Sequence, residues 1–132
     1  MKKSYLTIII IAVIIVALLF VRFVIGGDED GWIKDSKGVY VKHGNPAETP
    51  DYVLKQQEAI NQAQTFYNAA KNLGTEFSSQ CLGSFGDYAF DIVHVPRTAE
   101  DNQIENQCED YTGGKVNNFI ELDNKGNVVK IV

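Results

Sequence analysis

The chain has 132 residues, of which 45% are hydrophobic and 22% charged, with formal net charge −5. All seventeen acids lie beyond residue 26, whereas three of the twelve Lys+Arg (Lys2, Lys3 and Arg22) lie before it, so residues 27–132 carry a net charge of −8. Such a face is repelled by phosphate backbones and anionic lipid, which argues against nucleic acid as a partner, and about 106 residues suffice for one domain with a modest core.

The first element is the apolar run Leu6–Val21, LTIIIIAVIIVALLFV. A helix continued through it to Ile25 rises about 31 Å, close to the thickness of a hydrocarbon core. Arg22 sits near the end of the run, where its stem can snorkel and leave the guanidinium among head groups. Lys2 and Lys3 precede the run and Asp28, Glu29 and Asp30 follow it. The positive-inside rule therefore predicts a cytoplasmic N-terminus and an extracytoplasmic C-terminal part. The expected organisation is a single-pass transmembrane anchor over 1–25, a linker over 26–31 and an exported domain over 32–132. A cleaved signal peptide ending at Gly26 is the rival expectation, and it exports the same domain.

Gly26–Gly31, GGDEDG, reads as a flexible, charged spacer. Trp32–Lys34 and Val39–Lys42 flank the polar turn Asp35-Ser36-Lys37-Gly38 and predict a hairpin, with Trp32 and Tyr40 packing on the main body. His43-Gly44-Asn45-Pro46 then turns the chain. Thr49-Pro50-Asp51 is a helix start, with a hydroxyl cap, Pro at the first position and an acid in the first turn. The helix is expected from Pro50 to about Leu73, stopped by Gly74. Its predicted apolar stripe is Tyr52, Ala59, Ala63, Phe66, Ala70 and Leu73, with Val53, Ile60 and Tyr67 alongside.

Thr75–Gly86 holds Cys81 and reads as a loop or short edge strand; Ser78, Ser79 and Ser84 lie in no motif that activates a serine. Tyr88–Val95 is the strongest strand, with Pro96 ending it. On it Asp91 and His94 face opposite sides, so the pair is not expected to act together. Thr98 and Asp101 fit a capping box before a short helix over Ala99–Asn106. Glu100, Asp101, Glu105, Glu109 and Asp110 cluster there as a solvated acidic loop, with one of them a possible partner for Arg97. Val116–Leu122 and Asn127–Val132 are two further strands joined by the turn Asp123-Asn124-Lys125-Gly126.

Cys81 and Cys108 are the whole thiol inventory. In an oxidising compartment they are expected to pair, and closing a loop of about 28 residues stabilises a domain by about 3–4 kcal/mol in the chain-entropy model. A zinc site from Cys81, Cys108, His43 and His94 is disfavoured, because no C-x₂₋₄-C or H-x₃₋₅-H pair is present. The expected fold is therefore α+β, one long helix packed on an antiparallel sheet of three or more strands. In element order, residues 50–132 resemble cystatin-like and PepSY-like domains, in which a helix lies on an antiparallel sheet. The whole chain resembles pilins and pseudopilins more distantly, and departs from them in lacking a Glu early in the apolar run and in its GGDEDG break. The functional expectation is a membrane-anchored interaction module for a protein or peptide, without metal or cofactor and without an enzymatic signature. A pilin-like structural subunit is the alternative, and a hydrolase the third. His43, Asp91, His94 and Arg97 are the candidate polar site.

Overall fold

A computed structural model describes residues 2–25 and 29–132. The spacer expectation for Gly26, Gly27 and Asp28 lies outside the described residues. The chain divides into two compact units, Met1–Ile33 with Val41–Pro50 and Lys34–Tyr40 with Asp51–Val132.

In the first unit, helix α1 spans Lys2–Phe20 and continues as one π-turn over Val21–Ile25. Tyr5–Val24 is long and apolar enough to cross a membrane, and its side chains are exposed all round. Arg22 bonds Asp30 at 2.8 Å and Glu29 at 3.2 Å. The last carbonyls of such a helix have no partner within it. Asn45 supplies one, its amide donating to the Phe23 carbonyl at 2.7 Å. Strands β1 (Gly31–Lys34) and β2 (Tyr40–His43) form the predicted hairpin as a two-stranded sheet. Trp32 Nε1 donates to the Glu48 carbonyl within this unit.

The second unit is built on a four-stranded sheet of β3 (Gln80–Phe85), β4 (Tyr88–Ile92), β5 (Asn118–Leu122) and β6 (Val128–Ile131), in that order. Pairs β3–β4 and β5–β6 are antiparallel, but β4 and β5 run parallel. The sheet is thus mixed rather than antiparallel. A parallel pair needs a crossover that carries the chain back over the sheet, and residues 93–117 provide it. Asp87 sets the parallel register: its carboxylate accepts the backbone and side-chain amides of Asn117 at 2.8 Å and the side-chain amide of Asn118 at 2.9 Å.

Helix α2 (Asp51–Asn72) covers one sheet face. Gly74, at φ 78°, ends it, with the Thr75 amide bonded to Ala70 O and the Gly74 amide to Lys71 O, the paired bonds of a Schellman motif. The buried stripe is Val53, Gln56, Ala59, Ala63 and Tyr67. It is rotated from the expected one: Tyr52 and Leu73 are exposed, and Gln56 takes a central place. Gln56 earns that place by hydrogen bonding. Its side chain accepts the Tyr40 amide at 2.7 Å and donates to Gly38 O at 2.9 Å. Ala59, Ala63 and Tyr67 pack on Phe90, Ile92, Ile120, Leu122 and Ile131. Gly83 allows the close approach here, since a Cβ on it would meet the Phe66 ring at 2.6 Å.

The crossover covers the other face. It holds two single-turn 3₁₀ helices, Glu100–Asn102 and Ile104–Asn106, and the short helix α3 (Glu109–Thr112). The helix expected over Ala99–Asn106 is broken at Gln103, which is extended. Half of the expected capping box forms: Asp101 accepts the Thr98 amide at 2.7 Å, while the Thr98 hydroxyl turns to the same carboxylate at 3.1 Å. Ala89, Cys108 and Val116 are buried beneath the crossover with Tyr111 and Phe119 against them.

Two turns share one construction. In Asp35-Ser36-Lys37-Gly38 the Asp35 carboxylate accepts the amides of Lys37 and Val39. In Asp123-Asn124-Lys125-Gly126 the Asp123 carboxylate accepts those of Lys125 and Asn127. The first turn lies against the last strand, Ile131 N donating to Lys37 O at 2.7 Å.

Candidate functional site

The crossover face holds three buried carboxyl groups, those of Asp91, Asp101 and Glu121. Strand alternation puts Asp91 and Glu121 on this face, and the parallel register sets them side by side. Both are nearly inaccessible, at 7% and 5% exposed. Like charges on neighbouring strands destabilise a sheet unless compensated. Arg97 compensates one of them: Nη1 bonds the Glu121 carboxylate, Nη2 the Asp101 carbonyl at 3.1 Å and Nε the Asn102 side chain at 3.1 Å. The expectation that Arg97 pairs with an acid of its own loop is therefore corrected, its carboxylate partner being Glu121 on β5.

Asp91 is raised from the ordinary carboxylate range to about 6. Burial is the main cause; the Cys108 amide, donating to Asp91 Oδ1 at 3.0 Å, works against it, Glu121 adds to it and Arg97 opposes it. A cavity of about 200 Å³ opens here, walled by Asp91, Glu121, Arg97, Asp101, Tyr111 and Phe119 among others. Next to it a wider groove of about 520 Å³ runs over Val93, His94, Val95, Phe119 and Val129, with Arg97, Glu121 and Lys130 along it.

His94 lies where the strand has ended, beside a cis Val95–Pro96 peptide. Its Nδ1 is 3.0 Å from Asp101 Oδ1, and its Nε2 is 3.4 Å from the hydroxyl of Ser78. Asp101 is buried, not part of a solvated loop. Burial disfavours its charge, but hydrogen bonds from the Thr98 and His94 amides, the His94 ring and the Thr98 hydroxyl outweigh that and hold its carboxyl well below the usual range. The Ser78 hydroxyl is also 3.5 Å from Glu100. Asp110, half-buried, accepts from the Ser84 hydroxyl and from Lys115 at 3.0 Å.

Of the four polar candidates, Asp91, His94 and Arg97 belong to this face, with Asp91 in the smaller cavity, His94 along the groove and Arg97 bordering both. His43 is exposed at the end of β2; the site is built wholly from the second unit. Glu121, Asp101 and Ser78 were not among the candidates. Glu121 carries a readable signal, an acid within an apolar strand; Ser78 and Asp101 are brought to His94 by loop geometry alone. Cys81 and Cys108 are joined by a disulfide, as the cysteine count predicts. The two sulfurs and an Asp91 oxygen lie within 4.8 Å of one another. That is metal-ligand spacing, but bonded sulfurs offer no thiolate. No family model, curated protein or solved structure matches the chain.

Proposed function

We propose that the protein is a single-pass membrane protein, N-terminus cytoplasmic, whose extracytoplasmic domain over residues 32–132 is an interaction module binding a protein or peptide. The observation that carries this reading is the groove of about 520 Å³ on the crossover face. Its floor is apolar (Val93, Val95, Phe119 and Val129) and its polar groups, the Arg97–Glu121 pair and Lys130, can orient a bound segment. The all-round apolar helix supports the anchor, and the charges flanking it support the orientation. The bound segment is an extended peptide placing apolar side chains on the floor and a polar group at the Arg97–Glu121 pair. Cross-linking in native membranes, with mass-spectrometric identification, tests this. A distinct partner captured by the wild type and lost with Val95→Glu is the expected result. Capture unchanged by Val95→Glu overturns the groove as the binding surface. Mainly self-cross-links favour the alternative, a pilin-like or pseudopilin-like subunit.

A second reading rests on the Ser78–His94–Asp101 arrangement. A buried, hydrogen-bonded carboxylate at Nδ1 and a hydroxyl at Nε2 is the geometry that activates a serine for acyl transfer. Ser78 is exposed and open to a substrate. Labelling of the full-length protein by a fluorophosphonate at Ser78, lost with His94→Ala, is the expected result of a hydrolase. No labelling at Ser78 removes this reading.

A further inference from the structure

Cys81 and Cys108 are bonded to each other yet sit in opposite environments. Cys81 is exposed on the edge strand β3, beside a bulge in its pairing with β4. Cys108 is 1% exposed, enclosed under the crossover. Register places Cys81, Asp91, Glu121 and Lys130 in one row across the four strands. The Asp91 carboxyl therefore lies beside the disulfide, with one oxygen within 4.8 Å of both sulfurs.

We propose that this disulfide is a thiol-exchange site, attacked at Cys81 by the thiolate of a second molecule, with Asp91 giving its carboxyl proton to the departing Cys108 sulfur. Exchange requires the nucleophile to reach a sulfur, and Cys81 is the residue of the pair that is open to solvent. The new bond joins the incoming sulfur to Cys81 Sγ. The Sγ–Sγ bond breaks, and its electron pair leaves on Cys108. Around that sulfur stand two carbonyl oxygens, Phe90 O at 3.3 Å and Gly83 O at 3.4 Å. Carbonyls accept from an S–H and repel an S⁻, so the buried product is a neutral thiol and its departure requires a proton. Asp91 is the acid beside it.

The surroundings fit this role. Burial of Asp91 and then the neighbouring Glu121 favour the protonated carboxyl against the Cys108 amide, so that it persists up to about pH 6. Arg97 opposes this but is bonded to Glu121, and Asp101 and Tyr111 also face the cavity, with Lys130 one strand beyond Glu121. After the step Asp91 is a carboxylate and regains a proton from solvent. A partner with a second thiol completes the exchange. That thiolate attacks the partner's own sulfur in the mixed disulfide, and Cys81 leaves and is protonated by water. The partner dithiol is oxidised to a disulfide, and Cys81 and Cys108 are reduced. The chemical class of partner is thus an exposed thiol or dithiol, on a protein or a small molecule.

Dithiothreitol is the probe. The full-length protein in detergent micelles is reduced between pH 5 and 8, the reaction quenched in acid, and the rate divided by the concentration of dithiothreitol thiolate. In the wild type this normalised rate is expected to fall as pH rises through about 6. Asp91→Asn, which keeps an oxygen for the Cys108 amide, is expected to be slower by about tenfold or more at pH 5, with a flat profile. Trapped adduct is expected on Cys81. A wild-type rate that is flat with pH, an Asp91→Asn rate equal to the wild type, adduct on Cys108, or a disulfide reduced only on unfolding would each overturn the proposal. The wild-type profile decides the matter even if Asp91→Asn fails to fold.

Discussion

One face of the four-stranded sheet presents Phe90, Ile92, Ile120 and Leu122 to helix α2, all buried and all apolar. One position along the same strands, the other face presents Asp91 and Glu121, equally buried but ionisable. Both faces are covered, so the difference is not one of exposure. The α2 face is stabilised chiefly by removing hydrocarbon from water, the polar atoms of the buried Gln56 and Tyr67 being bonded to turn backbone. The crossover face is held by directed bonds, Arg97 to Glu121, Asp101 to His94 and Thr98, and a disulfide. A dry face resists a change of charge anywhere upon it. A polar face changes its energy with pH and redox state.

Breaking the dry side should have the largest effect. Ala63→Asp puts a carboxylate without a partner at a fully buried position of α2 against the sheet, at a cost of about 4 kcal/mol or more, enough to unfold a domain of this size. Loss of the near-ultraviolet circular dichroism of the wild type is the expected outcome. Cys81→Ser should rank next, lowering stability by about 3–4 kcal/mol under oxidising conditions. Urea midpoints that coincide for mutant and wild type would contradict a stabilising bond, and reductant should bring the wild type down to the mutant.

The polar side should then reveal itself through pH. Folded Asp91 holds its proton to about pH 6, while an ordinary Asp releases it near 3.8. Between those values the folded state binds more protons than the unfolded one, so this group's contribution to stability falls as pH rises across the window, by about 2–3 kcal/mol. Asp101 runs the other way. Its lowered value makes it stabilising above the ordinary carboxylate range, and that contribution is lost as pH falls. Subtracting the Asp91→Asn curve from that of the wild type isolates the first effect; a flat difference between pH 4 and 7 would show that Asp91 titrates normally. Val95→Glu should have the smallest effect, within about 0.5 kcal/mol by thermal melting, because Val95 is 64% exposed.

Local signals made the dry half legible from sequence. Thr49-Pro50-Asp51 and Gly74 bracket α2 within a residue or two of its observed ends, and alternation finds β4 and β5. The stripe was misjudged around Gln56, because a polar residue there is explained only by the hairpin turn whose backbone it satisfies. The parallel pairing of β4 with β5 was not legible. Its crossover is made of 3₁₀ and α turns of three or four residues, too short to show a helical period, so the segment reads as one short helix over Ala99–Asn106 in a polar loop, with no sign that it carries the chain back across the sheet. The site followed the same division. Asp91, His94 and Arg97 stand out as residues against their neighbours, but the partners that give them meaning, Glu121, Asp101 and Ser78, come from pairing and loop geometry that no local pattern encodes.

The turn at Asp35–Gly38 has a consequence beyond its own geometry. Its Lys37 carbonyl takes the Ile131 amide, and a Cβ on Gly38 would lie 2.2 Å from the Ile131 carbonyl. The outer side of β6 is thus occupied by the protein's own backbone, and another chain cannot extend the sheet there without displacing the turn. Strand β3, at the opposite end, pairs on one side only among the described residues. A strand arriving at the β3 edge therefore meets no such turn, whereas one arriving at Ile131 must first displace it. A side chain at position 38, where φ is 84°, would meet the Ile131 carbonyl and push the turn away from this edge.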